Sequence, residues 1–330
     1  MPKTRSALMN AIAQDRYGPP EVLELRRLPV PTPAPDQVLI RVKAASLNMY
    51  DWHMTSGMPR MARVVAGLRR PSNPIPGADA AGVIEAVGSD VTRFRVGDEV
   101  MGEIGSGAFA EYAVAAERHL VHKPAEATFE QAACVPLAGL TALQGLRDHG
   151  GLEAGQRVVI NGASGGVGTL AVLIAKALGA EVTAVCSTAK VEMVRSLGAD
   201  RVIDYTVDDY TELVRDQHLL FDNAGNRGWR ETSRVLAPGG INVTITGPKH
   251  GWFGPMREIL ARKVASLRGD KRFTNFTASV KTEDLETLAG MLASGAIRPV
   301  IEQSYPLSGT AEALRHLGEG HARGKLVIIP

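Results

Sequence analysis

Apolar and polar positions alternate in short runs along the first third of the chain. A strand begins near Leu8, and Val22–Leu28 and Gln37–Ala45 repeat with a period of two, the mark of half-buried strands. Between these two runs, Pro29–Asp36 holds four prolines and can form neither a helix nor a central strand. Ala80–Val87 predicts another strand, closed by Gly88-Ser89-Asp90. Val96–Val100 has a turn inside it, and Gly107–Val114 leads to a strand ending near Lys123-Pro124. Many short strands with Gly and Pro turns predict a compact β barrel or sandwich. Met58–Pro76 breaks the pattern. It is irregular and carries Arg60, Arg63, Arg69 and Arg70, which suits a solvated loop or a flap at the mouth of a site.

Farther along, the pattern changes to blocks. Thr128 is the predicted N-cap of a helix that starts at Phe129, kinks at Pro136 and continues to about His149. From Gln156, apolar runs and helical stretches alternate. Strands are expected at Val158–Ile160, Glu181–Val185, Arg201–Tyr205, Leu219–Gly225 and Ile241–Thr246, and helices at Val167–Leu178 and Val191–Leu197. That order predicts a doubly wound parallel sheet, with any ligand at the carboxyl ends of its strands, near Tyr205, Asp222, Asn223, Thr246 and Gly247. Trp252–Asn275 holds a basic helix. Thr282–Ser294 is an amphipathic helix with Thr282 as cap, and Gly295–Ile301 reads as a strand. Thr310–His321 is the last helix and Lys325–Ile329 the last strand; the closing strands are expected to rejoin the first barrel.

The candidate chemistry lies at the first turn of the parallel sheet. Ala163-Ser164-Gly165-Gly166-Val167-Gly168 is Gly-x-Gly-x-x-Gly with Ala in first place, set between an apolar strand and a helix. Gly165 lets backbone approach a pyrophosphate, the helix N-terminus offers free N–H groups, and Gly168 lets the helix pack on the strand. NAD sites commonly place Asp or Glu about 20 residues past the first glycine. Here that stretch is Cys186-Ser187-Thr188-Ala189-Lys190. A hydroxyl and an ammonium suit the 2′-phosphate of NADP, so NADPH is expected, although Lys190 could also simply start a solvated helix.

At 330 residues the chain is long for one domain, and 45% apolar residues suffice for two cores. A net charge of +2 gives no reason to expect nucleic acid as partner. No apolar run approaches a membrane span. The two cysteines, Cys134 and Cys186, exclude a disulfide framework and suit a reducing cytoplasm. The one close histidine pair, His119 and His122, falls on opposite faces if the stretch is a strand.

A β barrel, a nucleotide-binding sheet and a return to the barrel, with Ala-Ser-Gly-Gly-Val-Gly, resemble the medium-chain dehydrogenase/reductase superfamily over essentially the whole chain. Within it, the chain is similar to the zinc-free quinone oxidoreductase-like branch. Ala45–Asp51, Pro76–Asp79, Arg95–Val100, Pro136–Thr141, Ser196–Asp200 and His321–Lys325 carry the likeness. Val182–Ser187, Val202–Tyr205 and Arg298–Gln303 look most like the mitochondrial reticulon-interacting oxidoreductases and their bacterial relatives. The resemblance implies an α/β fold: a GroES-like β-barrel domain over 1–124 and 291–330, and a Rossmann doubly wound parallel-sheet domain over 125–290.

In the alcohol dehydrogenases of this superfamily a cysteine stands at Asn48, a histidine at Ala78 and a second cysteine near Leu137. None of these three can supply what zinc needs, so no metal is expected. The resemblance implies that Ser164, Gly165, Gly166 and Val167 line the pyrophosphate. Ser187, Lys190 and Tyr205 surround the 2′-phosphate, and Asn223, Thr246 and Gly247 lie beside the nicotinamide. Thr141, Gly324 and Lys325 approach the cofactor. Asn48, Tyr50 and Asp51 face the nicotinamide from the barrel as the catalytic candidates. A tyrosine that serves some enoyl reductases as proton donor has no counterpart in Trp52–Met58; Tyr50 or His53 could substitute, or could simply be packed or exposed. Trp52, Met54 and Met58 are candidate walls of an apolar substrate pocket. The implied activity is NADPH-dependent hydride transfer to a quinone or an α,β-unsaturated carbonyl, in a cytoplasmic homodimer joined through the sheet edge at 241–276. A zinc-free alcohol dehydrogenase and a low-turnover NADPH-binding sensor or scaffold are the alternatives.

Overall fold

The computed structural model describes residues 7–60, 62–245, 266 and 269–330. It divides into two compact units, Met1–Leu137 with Val280–Gly295 and Pro299–Pro330, and Ala138–Ser279 with Ala296–Arg298. Relative to the expected boundaries, the first unit also takes in 125–137 and 280–290. Helix Phe129–Ala133 packs on strands Gln37–Ser46 and Asp79–Val87, and helix Thr282–Ala293 packs on Leu120–His122.

The first unit is built around Gln37–Ser46, most of whose residues are buried. This strand pairs antiparallel with Asp79–Val87 and with Tyr112–Ala116. Its end also pairs with Lys325–Ile329, so the closing strand rejoins the seven-stranded sheet of the first unit, as expected, whereas Leu8–Ala13 pairs with Glu24–Pro29 in a sheet of two strands. Ile301–Pro306 runs parallel to that last strand. On the other side, Asp79–Val87 pairs with Glu99–Glu103, which pairs with Leu120–His122. Two of its apolar clusters lie against this sheet, and a smaller one gathers Met9, Ala11 and Ala110. Of the two, one includes Ile12, Leu47, Phe109, Leu326 and Ile328, and the other Val38, Ile40, Ile84, Phe94 and Leu120. Thr128 caps its helix as predicted: its hydroxyl accepts Gln131 N at 3.2 Å, while Gln131 Oε1 accepts Thr128 N at 3.0 Å.

Several elements differ from the sequence reading. Helix Thr282–Ala293 is capped by Lys281, and the Thr282 hydroxyl instead donates to Arg118 O at 2.8 Å. The strand expected at Gly295–Ile301 starts only at Ile301 and runs to Pro306. Gly295 has a φ of +75°, and Pro299 has no N–H to give a ladder. His119 closes a 3₁₀ turn, Glu117–His119, and only His122 of the pair lies in a strand. The segment 58–76 contains a short helix, Ala62–Ala66. Most of the basic helix expected within Trp252–Asn275 lies outside the described residues.

The second unit carries a six-stranded sheet among its described residues. Its spatial order is Arg201–Asp204, Glu181–Cys186, Arg157–Asn161, Gln217–Asp222, Leu236–Thr244 and Arg272–Asn275. Every neighbouring pair is parallel. In chain order this is 3-2-1-4-5-6, and the order reverses between Arg157–Asn161 and Gln217–Asp222. A ligand crevice forms outside the carboxyl ends of strands at such a reversal. Helix Gly166–Ala177 crosses from the first strand to the second, and Gly179, with φ +81°, ends the turn that follows it.

Candidate functional site

At the reversal point the glycine turn is fixed from two sides. Gly162 N and Ala163 N both donate to Val185 O of the second strand, at 3.2 and 3.0 Å. Asn223 N donates to Asn161 O at 3.0 Å, and Asn223 Nδ2 to Gly162 O at 3.3 Å. A side chain at Gly168 would place its Cβ 2.1 Å from Gly162 O, so only glycine lets the helix come this close to the turn. A Cβ at Gly165 would meet nothing nearer than Gly162 O at 3.8 Å and Asn223 Nδ2 at 4.0 Å, which leaves room above the turn. The helix is capped by Gly165 with no side-chain hydrogen bond, so its first-turn N–H groups are not satisfied by a cap. This cradle fits a pyrophosphate. The structure thus brings Ser164, Gly165, Gly166, Val167 and Asn223 together.

Of the polar cluster beneath this turn, the sequence placed only Asp222 near the ligand groove and gave Asn161, Tyr210 and Asn226 no role. Asn161 Nδ2 lies 2.9 Å from Asp222 Oδ1, 3.1 Å from Asn226 Oδ1 and 3.4 Å from Tyr210 Oη. Asp222 Oδ1 also accepts Gly225 N at 2.9 Å, which fixes the loop after the fourth strand. Burial, with Asp222 next in weight, pushes the Tyr210 phenol above its ordinary range, so it stays neutral while its oxygen accepts Asn161 Nδ2. One signal was available: Asn161 is a polar residue closing an apolar strand directly before the glycine turn.

Beside the cradle, the second and third strands end in two adjoining loops. The first carries Ser187 and the 3₁₀ turn Thr188–Lys190. The second carries Tyr205, which is 52% exposed and whose N donates to Cys186 O at 3.0 Å. Ser187, Lys190 and Tyr205 therefore share one edge of the sheet. Thr141 is half-buried on helix Pro136–Leu143. Thr246 and Gly247 lie outside the described residues.

The first unit holds a second polar centre. Asn48 caps helix Met49–Ser56, and its N donates to Asp51 Oδ2 at 2.8 Å. Asp51 Oδ1 accepts Ala78 N at 3.0 Å, so both carboxylate oxygens take backbone N–H groups and the side chain is enclosed. Asn48 Nδ2 donates to Asp79 Oδ2 at 2.9 Å, and its Oδ1 accepts Lys325 Nζ at 2.6 Å. Lys325 Nζ also donates to Leu47 O at 2.9 Å, and Asp79 Oδ1 accepts Leu137 N at 3.0 Å. Lys325 is 2% exposed and Asp79 fully enclosed. Gly324, at φ +74°, turns the chain so that Lys325 points inward; a Cβ there would lie 2.3 Å from Val300 O. Asp79 was missed as a site residue, because a strand-edge aspartate carries no periodic signal.

Burial dominates the acids of this centre. It raises Asp51 to about 7 against the backbone N–H groups that favour its charge. It raises Asp79 to about 6 despite Lys325. Glu103, opposite Asp79 in the strand ladder, is raised to about 7 by burial and then by the neighbouring Asp79 charge. Tyr50 is half-buried, and desolvation followed by Glu103 lifts its phenol. His53 Nδ1 sits 2.7 Å from Met58 O; because a carbonyl only accepts, that nitrogen carries the proton. The Trp52 indole packs on the first-unit core, and a Cβ at Gly318 would lie 2.5 Å from its Nε1. Trp52 is thus walled in by helix Thr310–Gly318, whereas Met58 is exposed.

Comparison with known proteins agrees with this architecture. The family model described as "Alcohol dehydrogenase GroES-like domain" matches residues 34–125, and that described as "Zinc-binding dehydrogenase" matches 197–328. The mitochondrial NAD(P)H oxidoreductase RTN4IP1 of Mus musculus is 36% identical, covering 98% of this chain and 90% of that protein. The 2-methylene-furan-3-one reductase of Solanum lycopersicum is 33% identical, covering 98% of this chain and 79% of that protein. The solved quinone oxidoreductase from Coxiella burnetii superposes with a TM-score of 0.86 at 32% identity, covering 98% of this chain and all of that one. With a barrel, a 3-2-1-4-5-6 sheet and whole-length relatives of this kind, the chain belongs to the medium-chain dehydrogenase/reductase superfamily, in its quinone oxidoreductase-like branch.

Proposed function

We propose that this NAD(P)H oxidoreductase selects NADPH and delivers hydride, without zinc, to a quinone or an α,β-unsaturated carbonyl. The observation that carries the choice of cofactor is the end of the second strand. Cys186–Lys190 offers a hydroxyl and an ammonium and no carboxylate where an NAD site commonly has one. When bound, the reduced nicotinamide supplies the hydride. Ser164–Val167 hold the pyrophosphate through backbone N–H groups, and Asn223, anchored on Gly162 O, orients the nicotinamide side. Thr141 adds to the cofactor contacts of this unit in this reading, and Thr246, Gly247 and Gly324 stay as what the family resemblance implies.

The zinc-free part rests on donor chemistry. Asn48, Ala78 and Leu137 carry no thiolate or imidazole. They are instead tied to Asp51 and Asp79, with the Lys325 ammonium on Asn48. Asn48, Asp51 and Lys325 act as a frame, and Tyr50 is the member of the catalytic trio left with a partly exposed phenol. An acceptor already electrophilic through conjugation needs no Lewis acid. A quinone appears in one relative's name, and the 2-methylene-furan-3-one in another's is itself an enone. The test is turnover of chelator-treated protein with NADPH, against a quinone, an enone and a primary alcohol with NADP. Consumption with the first two and none with the alcohol is expected; activity that needs added zinc would overturn the reading. The cytoplasmic homodimer expected from the sequence belongs to the same proposal, and sedimentation tests its dimeric part.

A second reading, a low-turnover NADPH-binding protein, is favoured by one observation: both Asp51 oxygens and both ends of the Asn48 amide are already engaged. NADPH binding without consumption on any acceptor would favour it.

A further inference from the structure

Three side chains that no cofactor role has claimed join the two loops at the adenosine end of the sheet. Asp204 closes the third strand, and its Oδ1 accepts both Thr206 N at 2.9 Å and Thr206 Oγ1 at 2.7 Å. Thr206 Oγ1 lies 2.8 Å from Thr188 Oγ1 on the neighbouring loop. Hydrogen bonds from Thr188 and Thr206 hold the Asp204 carboxyl below its ordinary range, with Thr188 the larger influence. A backbone bond runs alongside, from Tyr205 N to Cys186 O at 3.0 Å, and Lys190 N closes the first loop on Ser187 O at 2.9 Å. Tyr205 sits between Asp204 and Thr206, and Thr188 sits between Ser187 and Lys190. Any movement of one loop therefore passes to the other through this chain of bonds.

We propose that Asp204, Thr206 and Thr188 form a brace that determines selectivity for a ribose 2′-phosphate, by holding Ser187, Lys190 and Tyr205 in one arrangement. This rests on the NADPH reading given above. The three are positioning residues: they act through the phosphate-facing groups. The geometry also explains how a carboxylate is tolerated beside an anion subsite. Its Oδ1 is turned onto Thr206, and its charge is met by hydrogen-bond donors. Simple electrostatics and the brace make opposite predictions for removing it. Deleting a negative charge near a phosphate should tighten binding, whereas deleting the anchor of a brace should loosen it.

The experiment is calorimetric titration of the full chain with adenosine 2′,5′-bisphosphate and with adenosine 5′-monophosphate. The wild type is compared with Thr188→Val, Asp204→Ala and Asp204→Asn, each checked for an unchanged melting temperature. Each net hydrogen bond is worth about 1 kcal/mol, so Thr188→Val and Asp204→Ala are expected to weaken the bisphosphate roughly fivefold to tenfold. The monophosphate should change less than about twofold, since it lacks the group the brace positions. Asp204→Asn keeps an acceptor for Thr206 and should restore wild-type selectivity. Tighter bisphosphate binding by Asp204→Ala, or equal losses for the two nucleotides, would overturn the brace while leaving NADPH selection intact. A wild type that binds both nucleotides equally would instead overturn NADPH selection, and the brace with it.

Discussion

Lys325 is the residue on which the barrel-side centre depends. Its ammonium is enclosed and bonded to Leu47 O and Asn48 Oδ1, beside the buried Asp79 carboxyl. Replacing it with methionine keeps the length but removes the only ammonium among the described residues that bonds Asn48 or faces Asp79. Lys325→Met is expected to cost about 3–5 kcal/mol in urea unfolding, the range for breaking a buried charged pair on one side. A loss below about 1 kcal/mol would mean that Asp79 is neutral without it.

Glu103 gives a cleaner titration. Its carboxyl is raised from 4.5 to about 7, so the folded state binds the proton more tightly than the unfolded chain does. Its contribution is therefore fully present below about pH 4.5 and is lost as pH rises through about 7. Asp51 and Asp79 are raised in the same direction, so stability should fall between about pH 4 and pH 7. Glu103→Gln keeps the acceptor for Gly105 N and removes the ionisation. It should flatten that fall and add about 1–2 kcal/mol at pH 8, after allowing for partial exposure. An unchanged pH profile in the variant would show that Glu103 does not cause the fall.

Among the elements, the βα turn is the most constrained. Gly168→Ala would drive a Cβ into Gly162 O at 2.1 Å, and that atom is backbone held by Asn223. The turn must move, so nucleotide affinity should fall at least about tenfold, with a stability cost of about 1–3 kcal/mol. Equal nucleotide affinity in the variant would show that the turn is not the cradle.

Local chemistry was legible wherever an element announces itself. The strand–glycine–helix unit at 158–178, the Thr128 cap and the closing strand at Lys325 all appear at or near their expected positions. Thr282 misled because a hydroxyl before an apolar run looks like a cap, yet a tertiary acceptor, Arg118 O, takes it. Gly295–Ile301 misled because Ile297 is buried, as a strand residue would be, while Pro299 denies the ladder.

At the scale of the whole molecule, what the sequence hides is convergence from distant positions. Asn48, Asp51, Asp79, Glu103 and Lys325 gather in one unit from both ends of the chain. Asn161, Tyr210 and Asp222 gather in the other. Barrel register and sheet order create both groups, and neither follows from spacing along the chain. No helix among the described residues is long and apolar enough to cross a membrane. The 3-2-1-4-5-6 order puts a crevice at the reversal between Arg157–Asn161 and Gln217–Asp222, and the proposed selection of NADPH rests on Cys186–Lys190.

The measurement that tests this most directly is kcat/KM for NADPH and for NADH with one quinone acceptor, in the wild type and in Lys190→Ala. A 2′-phosphate contact at Lys190 requires a wild-type preference for NADPH of at least about tenfold, lost in Lys190→Ala mainly through a higher KM for NADPH with NADH little changed. Equal use of both nucleotides by the wild type, or an equal loss for both in the variant, would contradict it.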